Sequence, residues 1–168
     1  MMLDSKNFAA YRRESAVEIR GLSHQNARVL DFLLPLSRDY PGIDEWYLGK
    51  VVPGVDQEKR KIFTYERDGK IAAVGIAKSE RDEKKICTVR VHPDYFGRGI
   101  GIRVFEELLT WLDVAKPILT VTDSKLHLFE RIFDHYGFEL SGARNGLYVA
   151  GATELGFNGA FAQNNRII

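Results

Sequence analysis

The chain has 168 residues, of which 45% are hydrophobic and 28% are charged. This composition is typical of a globular protein and excludes a disordered chain, a collagen-like chain and a disulfide scaffold. Lys and Arg number 24 against 23 Asp and Glu, and the resulting net charge of +1 argues against nucleic acid as a partner. The length predicts a single domain over 1–168, with tails at 1–15 and 156–168.

The cysteine content and the hydropathy exclude several further classes of protein. Cys87 is the only cysteine, so no internal disulfide can form. No His/Cys cluster has the spacing of zinc ligands, and no apolar run approaches the length of a transmembrane helix. The N-terminus lacks the apolar core of a signal peptide. We therefore expect a cytoplasmic protein without a bound metal and without a membrane partner.

The first quarter of the chain predicts one strand and two helices. Residues 16–22 alternate apolar and polar side chains, as a half-buried strand does. Ser23 can cap a helix over 24–36, whose apolar residues recur at helical spacing. A short helix over 43–51 follows, since acidic residues suit its first turn.

The middle of the chain predicts an antiparallel meander. Two strands, over 61–66 and 70–78, flank an Asp-Gly pair at 68–69, which is a hairpin signal because both residues accept positive φ. A charged turn over 79–85 leads to a third strand over 85–91.

The rest of the chain alternates helices and strands. The predicted elements are a helix over 101–113, a buried strand over 118–122, a helix over 125–136 that Gly137 ends, and strands over 138–142 and 146–150. The full order is β-α-α-β-β-β-α-β-α-β-β. A meander followed by a βαβ crossover predicts an α/β (α+β) fold, with a mixed, mostly antiparallel central sheet flanked by helices.

The loop before the 101–113 helix carries three glycines, Gly97, Gly99 and Gly101. The first N–H groups of a helix lack an intrahelical partner, the helix dipole adds positive charge there, and glycine lets a ligand approach the backbone. This combination favours a phosphate or pyrophosphate site, to which Arg98 can add a charged contact. The spacing fits neither a Walker loop nor a Rossmann fingerprint. A tight turn that binds nothing is the alternative.

The residues around this loop resemble those of the GNAT superfamily of N-acetyltransferases. The motif of that family is Arg/Gln, any, any, Gly, any, Gly/Ala at the start of a helix, usually after Val-any-Pro. Residues 91–93 read Val-His-Pro, and Gly99 and Gly101 occupy the two small positions. Phe96 departs from the family at the Arg/Gln position.

A second part of the resemblance lies at the end of the next helix. Gly137 and Phe138 match the Gly-Phe pair of the family's Tyr-any-any-any-Gly-Phe pattern, whereas Phe133 stands where the family has Tyr. The resemblance covers about 16–150, including the element order, and it implies a GNAT fold.

The resemblance also implies that the cosubstrate is acetyl-CoA. Its pyrophosphate would contact backbone N–H groups of the loop, and its pantetheine arm would pair with the preceding strand, which would diverge from 118–122 to leave a V-shaped cleft. The implied CoA-binding residues are Val89, Arg90 and Val91 on the strand, and Gly97, Arg98, Gly99, Ile100 and Gly101 in the loop.

The proton-transfer residues are harder to assign. In the family, the Tyr at the position of Phe133 is the usual general acid, and Phe cannot donate a proton. Tyr136 lies three residues later, close to one helical turn, and is therefore the candidate general acid. A core aromatic is the alternative reading of Tyr136. His127 and His135 flank the same helix as further candidates.

The candidate general base is Glu45. It lies with Asp44 and Tyr40 in the region of the first two helices, which borders the acceptor site in this family. An acidic first-turn residue is the alternative reading of Glu45. Cys87, at mid-strand among apolar neighbours, is interpreted as buried and inert.

The resemblance therefore implies an N-acetyltransferase, and we expect it to transfer the acetyl group directly to a primary amine of a small molecule or protein. Phe96 and Phe133 favour an alternative, a regulatory module of GNAT fold that binds acyl-CoA without turnover. An enzyme acting on charged tRNA is a third hypothesis, against which the near-zero net charge argues. A homodimer through the C-terminal strands and tail is a further hypothesis.

Overall fold

The structure, a computed structural model, describes residues 21–162. The predicted strand over 16–22 falls mostly outside this range, as do the predicted N-terminal tail and the last six residues of the chain. Within the described part, the order of elements is α-α-α-β-β-β-α-β-α-β-β, which is the predicted order with one additional short helix before the first strand.

The N-terminal helical region agrees with the prediction and extends beyond it. Helix α1 spans His24–Leu33, and the Ser23 side chain accepts a hydrogen bond from the Asn26 N–H at 3.1 Å as its N-cap. The elements that follow are a 3₁₀ turn over Leu34–Arg38, helix α2 over Ile43–Trp46, a π-helical turn over Tyr47–Val51 and helix α3 over Val52–Asp56.

The meander is confirmed, with longer strands than expected. Strands β1 (Arg60–Arg67), β2 (Lys70–Glu80) and β3 (Glu83–Val91) pair antiparallel in that order. Asp68 and Gly69 have φ of 50° and 73°, as the hairpin prediction requires. The predicted turn over 79–85 is shorter than expected, because β2 and β3 stay paired as far as Glu80 and Glu83. A cross-strand ion pair joins Lys78 Nζ to Glu83 Oε1 at 2.8 Å.

The second half of the chain contains the predicted helices and strands with two differences. Its elements are helix α4 over Ile100–Leu112, strand β4 over Leu119–Thr122, a 3₁₀ turn over Asp123–Leu128, helix α5 over Glu130–Tyr136, strand β5 over Leu140–Asn145 and strand β6 over Thr153–Phe157. The helix predicted over 125–136 is thus split at Phe129, whose φ of −119° is far from the value of about −63° in a regular α-helix.

The last predicted strand, over 146–150, is wrong. The tail predicted over 156–168 starts too early, because Gly156 and Phe157 belong to β6, and its residues 163–168 lie outside the described range. The segment 146–150 lies in the loop between β5 and β6, which begins at Gly146 and has a second glycine at Gly151, both with positive φ. The strand prediction assumed that the apolar side chains of this segment are buried, but Leu147 and Tyr148 are exposed.

The described strands form two three-stranded antiparallel sheets, with orders β1-β2-β3 and β4-β6-β5. One parallel bridge, between Lys85 of β3 and Ile118 just before β4, joins them. Beyond this bridge the two strands separate, and the rest of β3 and all of β4 belong to different sheets.

Strand β2 shows why helices cover both faces of the meander. Its Ala73, Gly75 and Ala77 are small and buried on the face that α4 covers. Val74 and Ile76, at the alternate positions, pack against the N-terminal helices. Side chains alternate between the two faces of a strand, so this sequence places a close helix contact on one side and a bulky core on the other.

Candidate functional site

The site is built around the loop that joins β3 to α4. His92 ends the strand, and its Nδ1 accepts a hydrogen bond from the Asp94 N–H at 3.1 Å, which fixes the 3₁₀ turn over Pro93–Tyr95. Gly97 and Gly99 follow with φ of 75° and 73°. Gly99 is the N-cap of α4, so its left-handed conformation sets the direction in which the helix starts.

The backbone N–H groups of this loop are available to an anion. The N–H groups of Ile100, Gly101 and Ile102 precede the first intrahelical bond, which the Arg103 N–H donates to the Gly99 carbonyl at 3.4 Å. Helix α4 has 13 residues, long enough for its dipole to add positive charge at this end. The arrangement can bind phosphate groups through the backbone alone.

Gly101 keeps the loop close to helix α5. A Cβ at this position would lie 3.0 Å from Ile132 Cδ1 and 3.8 Å from Val91 Cγ2. The small residue therefore lets the first turn of α4 pack between the end of β3 and α5.

The side chains of the loop face solvent. Arg98 is exposed and lies over the Tyr95 ring, with its guanidinium carbon 5.5 Å from the ring centroid. Phe96, at the position where the resemblance predicts Arg or Gln, is 47% exposed. The groups of this loop that can contact an anion are therefore its backbone N–H groups and the Arg98 side chain.

Strand β3 presents a free backbone edge next to this loop. Val89, Arg90 and Val91 pair with β2 on one side only, and no described strand pairs with them on the other. The Arg90 side chain contacts helix α1, where it donates a hydrogen bond to the Phe32 carbonyl at 2.9 Å and stacks over the Phe32 ring. An extended ligand chain can thus add to β3 as a strand does.

The cleft begins where β3 and β4 separate. The Ile86 N–H donates to the Ile118 carbonyl at 3.1 Å, and the Ile118 N–H donates to the Lys84 carbonyl at the same distance. The next residue, Cys87, has no partner in the β2–β3 register, which marks a bulge. A bulge at the vertex of two diverging strands frees backbone groups that can hold a carbonyl oxygen.

Cys87 itself has the surroundings of an unreactive thiol. Burial raises the pKa of its thiol, although Arg60, whose Nη1 lies 3.5 Å from the sulfur, partly opposes that effect. A raised pKa reduces the thiolate fraction that a nucleophile needs.

The candidate acid Tyr136 packs in an aromatic cluster between α4 and α5. Its ring stacks with Phe105 and Phe138, at centroid distances of 6.4 and 5.6 Å. Its hydroxyl is buried without a hydrogen-bond partner among residues 21–162. Burial, with the charge of Glu106, raises the pKa of this hydroxyl. The packing matches the core-aromatic alternative, and the acid role of Tyr136 stays a prediction.

Phe133 and the other candidates on this helix are also placed. Phe133 is 3% exposed and packs against Phe157 at 4.7 Å between ring centroids, so it is part of the core. His127 and His135 are exposed.

The candidate base Glu45 lies in the first turn of α2, with Asp44. Its side chain is exposed and makes no hydrogen bond or ion pair with another residue of the described range. Its role as a base stays a prediction.

The structure reveals a polar cluster around Glu154 that the sequence analysis missed. Glu154, on β6, is only 3% exposed. Its Oε1 accepts hydrogen bonds from the Thr120 hydroxyl at 2.7 Å and from the Tyr40 hydroxyl at 3.1 Å, and its Oε2 accepts from the Thr122 hydroxyl at 3.2 Å. Burial is the main reason why the pKa of Tyr40 lies well above its usual range.

Two sequence signals could have found this cluster. Thr120 and Thr122 alternate with Leu119 and Val121 on a strand that is otherwise apolar, which marks a polar face. Residues 153–157 read Thr-Glu-Leu-Gly-Phe, which places a carboxylate beside apolar residues between the strand predicted over 146–150 and the end of the chain.

The described part of the chain contains neither a metal-binding cluster nor a membrane-spanning helix. No group of three or more His, Cys, Asp or Glu side chains in residues 21–162 could hold a metal ion. No helix in that range is both long and apolar enough to cross a membrane.

Comparison with known proteins gives one family and several similar folds. Residues 50–148 match the acetyltransferase (GNAT) domain family. No curated protein matches the chain. A putative GNAT-family acetyltransferase from Desulfovibrio desulfuricans has a similar structure, with a TM-score of 0.62 and 12% identity over 81% of this chain and 92% of that one.

Two further solved structures are similar in fold. An aminoglycoside 6'-N-acetyltransferase complexed with coenzyme A has a TM-score of 0.59 and 9% identity, over 82% of this chain and 91% of that one. Nourseothricin acetyltransferase has a TM-score of 0.51 and 21% identity, over 60% of this chain and 65% of that one. The matched region thus spans about two thirds of nourseothricin acetyltransferase.

Proposed function

The chain belongs to the acetyltransferase (GNAT) domain family, and on that premise we propose that it transfers the acetyl group of acetyl-CoA directly to a primary amine. The observation that carries the proposal is the junction of β3 and α4. There, a loop with two left-handed glycines and free N–H groups continues a strand whose outer backbone edge is open.

The residues of this junction fit a CoA-type molecule. The N–H groups of Gly97, Arg98, Gly99, Ile100 and Gly101 would bind the pyrophosphate, and Arg98 would add a charged contact. The backbone of Val89, Arg90 and Val91 would pair with the amide-containing pantetheine arm. The free backbone groups at the Cys87 bulge would hold the thioester carbonyl.

The chemistry requires a neutral amine next to that carbonyl. An alkylamine is mostly protonated at neutral pH, so a proton must leave before nitrogen attacks. The C–N bond then forms, the C–S bond breaks, and the sulfur leaves as a thiolate that is stable enough to need little help from an acid. Because the thiolate needs little help to leave, the reaction is compatible with Phe133 at the position where the family has a Tyr that acts as general acid.

The second candidate is a module that binds acyl-CoA without turnover, which Phe96 and Phe133 favour. Thiol release from acetyl-CoA, measured with a chromogenic disulfide reagent in the presence and absence of primary amines, separates the two functions. We expect at least one amine to accelerate release. Binding of acetyl-CoA without amine-dependent release would support the regulatory module instead.

A further inference from the structure

Arg60, the first residue of β1, is half-buried, and the proposed reaction does not use its guanidinium. Arg60 pairs in register with Lys78 of β2, and Lys78 pairs with Lys85 of β3, so three cationic residues form one row across the sheet. Residues that pair directly lie on the same face, and this face is the one that the N-terminal helices cover. Like charges side by side repel one another, so the row favours anions nearby.

Within the described range, only the middle residue of the row has carboxylate partners. Lys78 Nζ lies 2.8 Å from Glu83 Oε1 and 3.2 Å from Glu80 Oε2. Arg60 and Lys85 have no carboxylate oxygen within 4.0 Å in that range. The row thus keeps two positive charges that the described residues leave without an ion pair.

The Arg60 side chain lies in a slot between β1 and helices α2 and α3. A Cβ on Gly54 of α3 would lie 2.8 Å from Arg60 Cδ, so the glycine makes room for the arginine stem. The guanidinium carbon lies over the Trp46 ring, 5.7 Å from its centroid, and a planar guanidinium stacks well on such a ring. Both contacts fix the position of the charge, which reduces the entropy that binding a ligand would cost.

The guanidinium of Arg60 also reaches the vertex of the cleft. Its Nη1 lies 3.5 Å from Sγ of Cys87, the bulge residue of β3. Two residues earlier, Lys85 forms the parallel bridge with Ile118, beyond which β3 and β4 separate. The backbone groups freed by the bulge are those proposed to hold the thioester carbonyl, so the positive charge would lie beside the reacting atoms.

The remaining nitrogens of this guanidinium are available to a ligand. Arg60 Nε and Nη2 make no hydrogen bond with another described residue. They are not buried either, because the Tyr136 hydroxyl is the one buried side-chain polar atom without a partner among residues 21–162. Adjacent N–H groups of a guanidinium form a planar fork that matches the two oxygens of a carboxylate.

We propose that Arg60, with the charge of Lys85 beside it, forms a subsite for a carboxylate group of a reacting substrate. Two sources have this chemistry: the far end of a dicarboxylic acyl group, as in succinyl-CoA, or a carboxylate on the amine. In a succinyl thioester, three C–C bonds, about 4 Å in all, separate the carbonyl carbon from the carboxylate carbon. This inference rests on the proposed function and extends it beyond the acetyl group and simple amines.

The carboxylate would bind and orient the substrate without taking part in the transfer. The ammonium group loses two protons, one to solvent and one to the departing sulfur, while the C–N bond forms and the C–S bond breaks. The carboxylate stays ionised and paired with Arg60 throughout. Arg60 is therefore a specificity-determining residue and not a catalytic one.

The test has two arms, each of which compares ligands that differ only by a carboxylate or a methyl group. The first arm measures calorimetric binding of succinyl-CoA and butyryl-CoA. The second measures binding of 6-aminohexanoate and n-hexylamine to the protein saturated with CoA. We expect the wild type to prefer the carboxylate in one pair by at least about tenfold, the scale of a hydrogen bond to a charged group. The arm that shows the preference identifies the substrate that carries the carboxylate.

Variants at Arg60 test whether this side chain is responsible. Arg60→Gln should abolish the preference, whereas Arg60→Lys, which keeps the charge without the fork, should retain part of it. Because the preference compares two ligands on the same variant, a general loss of stability or of CoA affinity cancels. Arg67→Gln, the same substitution at an exposed arginine of β1, should keep the full preference.

The outcomes separate this inference from the proposed function. Equal binding within both pairs, or a preference that Arg60→Gln leaves intact, would overturn the subsite. Amine-dependent thiol release from acetyl-CoA would still support the acetyltransferase in that case. Failure of every CoA thioester to bind the wild type would overturn both.

Discussion

Gly99 has a left-handed backbone conformation and open space at the position of a side chain. Its backbone has φ of 73°, and the space where a Cβ would lie contains no atom within 4 Å. A side chain there meets a backbone penalty but no steric clash, and Asn is among the residues that tolerate this conformation best. The position therefore allows the effect of charge to be separated from the effect of shape.

We predict that Gly99→Asp lowers acetyl-CoA affinity about 100-fold or more, because its carboxylate would face the pyrophosphate. Gly99→Asn has the same shape without the charge and should lose only a few-fold. Calorimetric titration of both variants measures the difference. Equal losses in the two variants would mean that no phosphate binds at this loop.

The Tyr136 hydroxyl gives a second prediction at the residue scale. A buried donor without a partner costs stability, so Tyr136→Phe should leave the free energy of unfolding unchanged or raise it by about 1 kcal/mol. The two readings of Tyr136 predict different activities: kcat is unchanged if the ring is only a core aromatic, and kcat falls strongly if the hydroxyl is the general acid.

Tyr47→Phe is the matched control for stability. The Tyr47 hydroxyl donates to Asn26 Oδ1 at 3.3 Å, so its loss should cost about 1 kcal/mol in chemical denaturation. A large fall in kcat for Tyr136→Phe, at unchanged acetyl-CoA affinity, would instead establish Tyr136 as the general acid.

At the scale of elements, the contact between β2 and α4 depends on Gly75. A Cβ at this position would lie 2.5 Å from Val104 Cγ1 and 2.9 Å from Leu108 Cδ1, both on buried side chains. Because α4 carries the glycine loop at its N-terminus, a shift of this helix also moves the loop.

We predict that Gly75→Ala destabilises the protein by about 1–3 kcal/mol through overpacking, and that it weakens acetyl-CoA binding as well. Gly49→Ala is the control, since a Cβ there meets nothing within 4 Å. That control should be neutral or stabilising by up to about 1 kcal/mol. Thermal and chemical unfolding of both variants give the comparison, and equal stabilities would contradict the packing described for α4.

The elements also show what the sequence could and could not predict. The hairpin at Asp68-Gly69 and the helix after Gly99 follow from local rules, because the turn residues and the apolar stripe lie within a few positions of each other. Strand β6 was missed because the apolar run at 146–150 is exposed, whereas Glu154 is buried by residues from distant parts of the chain. Such burial depends on tertiary contacts that no local pattern contains.

At the scale of the whole molecule, different elements cover the two faces of the sheets. Helices α4 and α5 cover one face, and the glycine loop before α4 lies beside the open edge of β3 where the pantetheine arm would pair. The N-terminal helices, Tyr40 and the β5–β6 loop cover the face where the Glu154 cluster lies. Because β3 and β4 diverge beyond the bridge between Lys85 and Ile118, we expect a thioester held between them to be accessible to an amine from the side of the N-terminal helices.

A calorimetric titration of the protein with acetyl-CoA, CoA and ATP is the most direct test of the proposed function. We predict that acetyl-CoA and CoA bind with a Kd on the order of micromolar and that ATP does not bind, since the glycine spacing lacks the features of a nucleoside-triphosphate loop. The absence of heat with both CoA species would mean that the three glycines only turn the chain, and it would contradict the proposed acetyltransferase function.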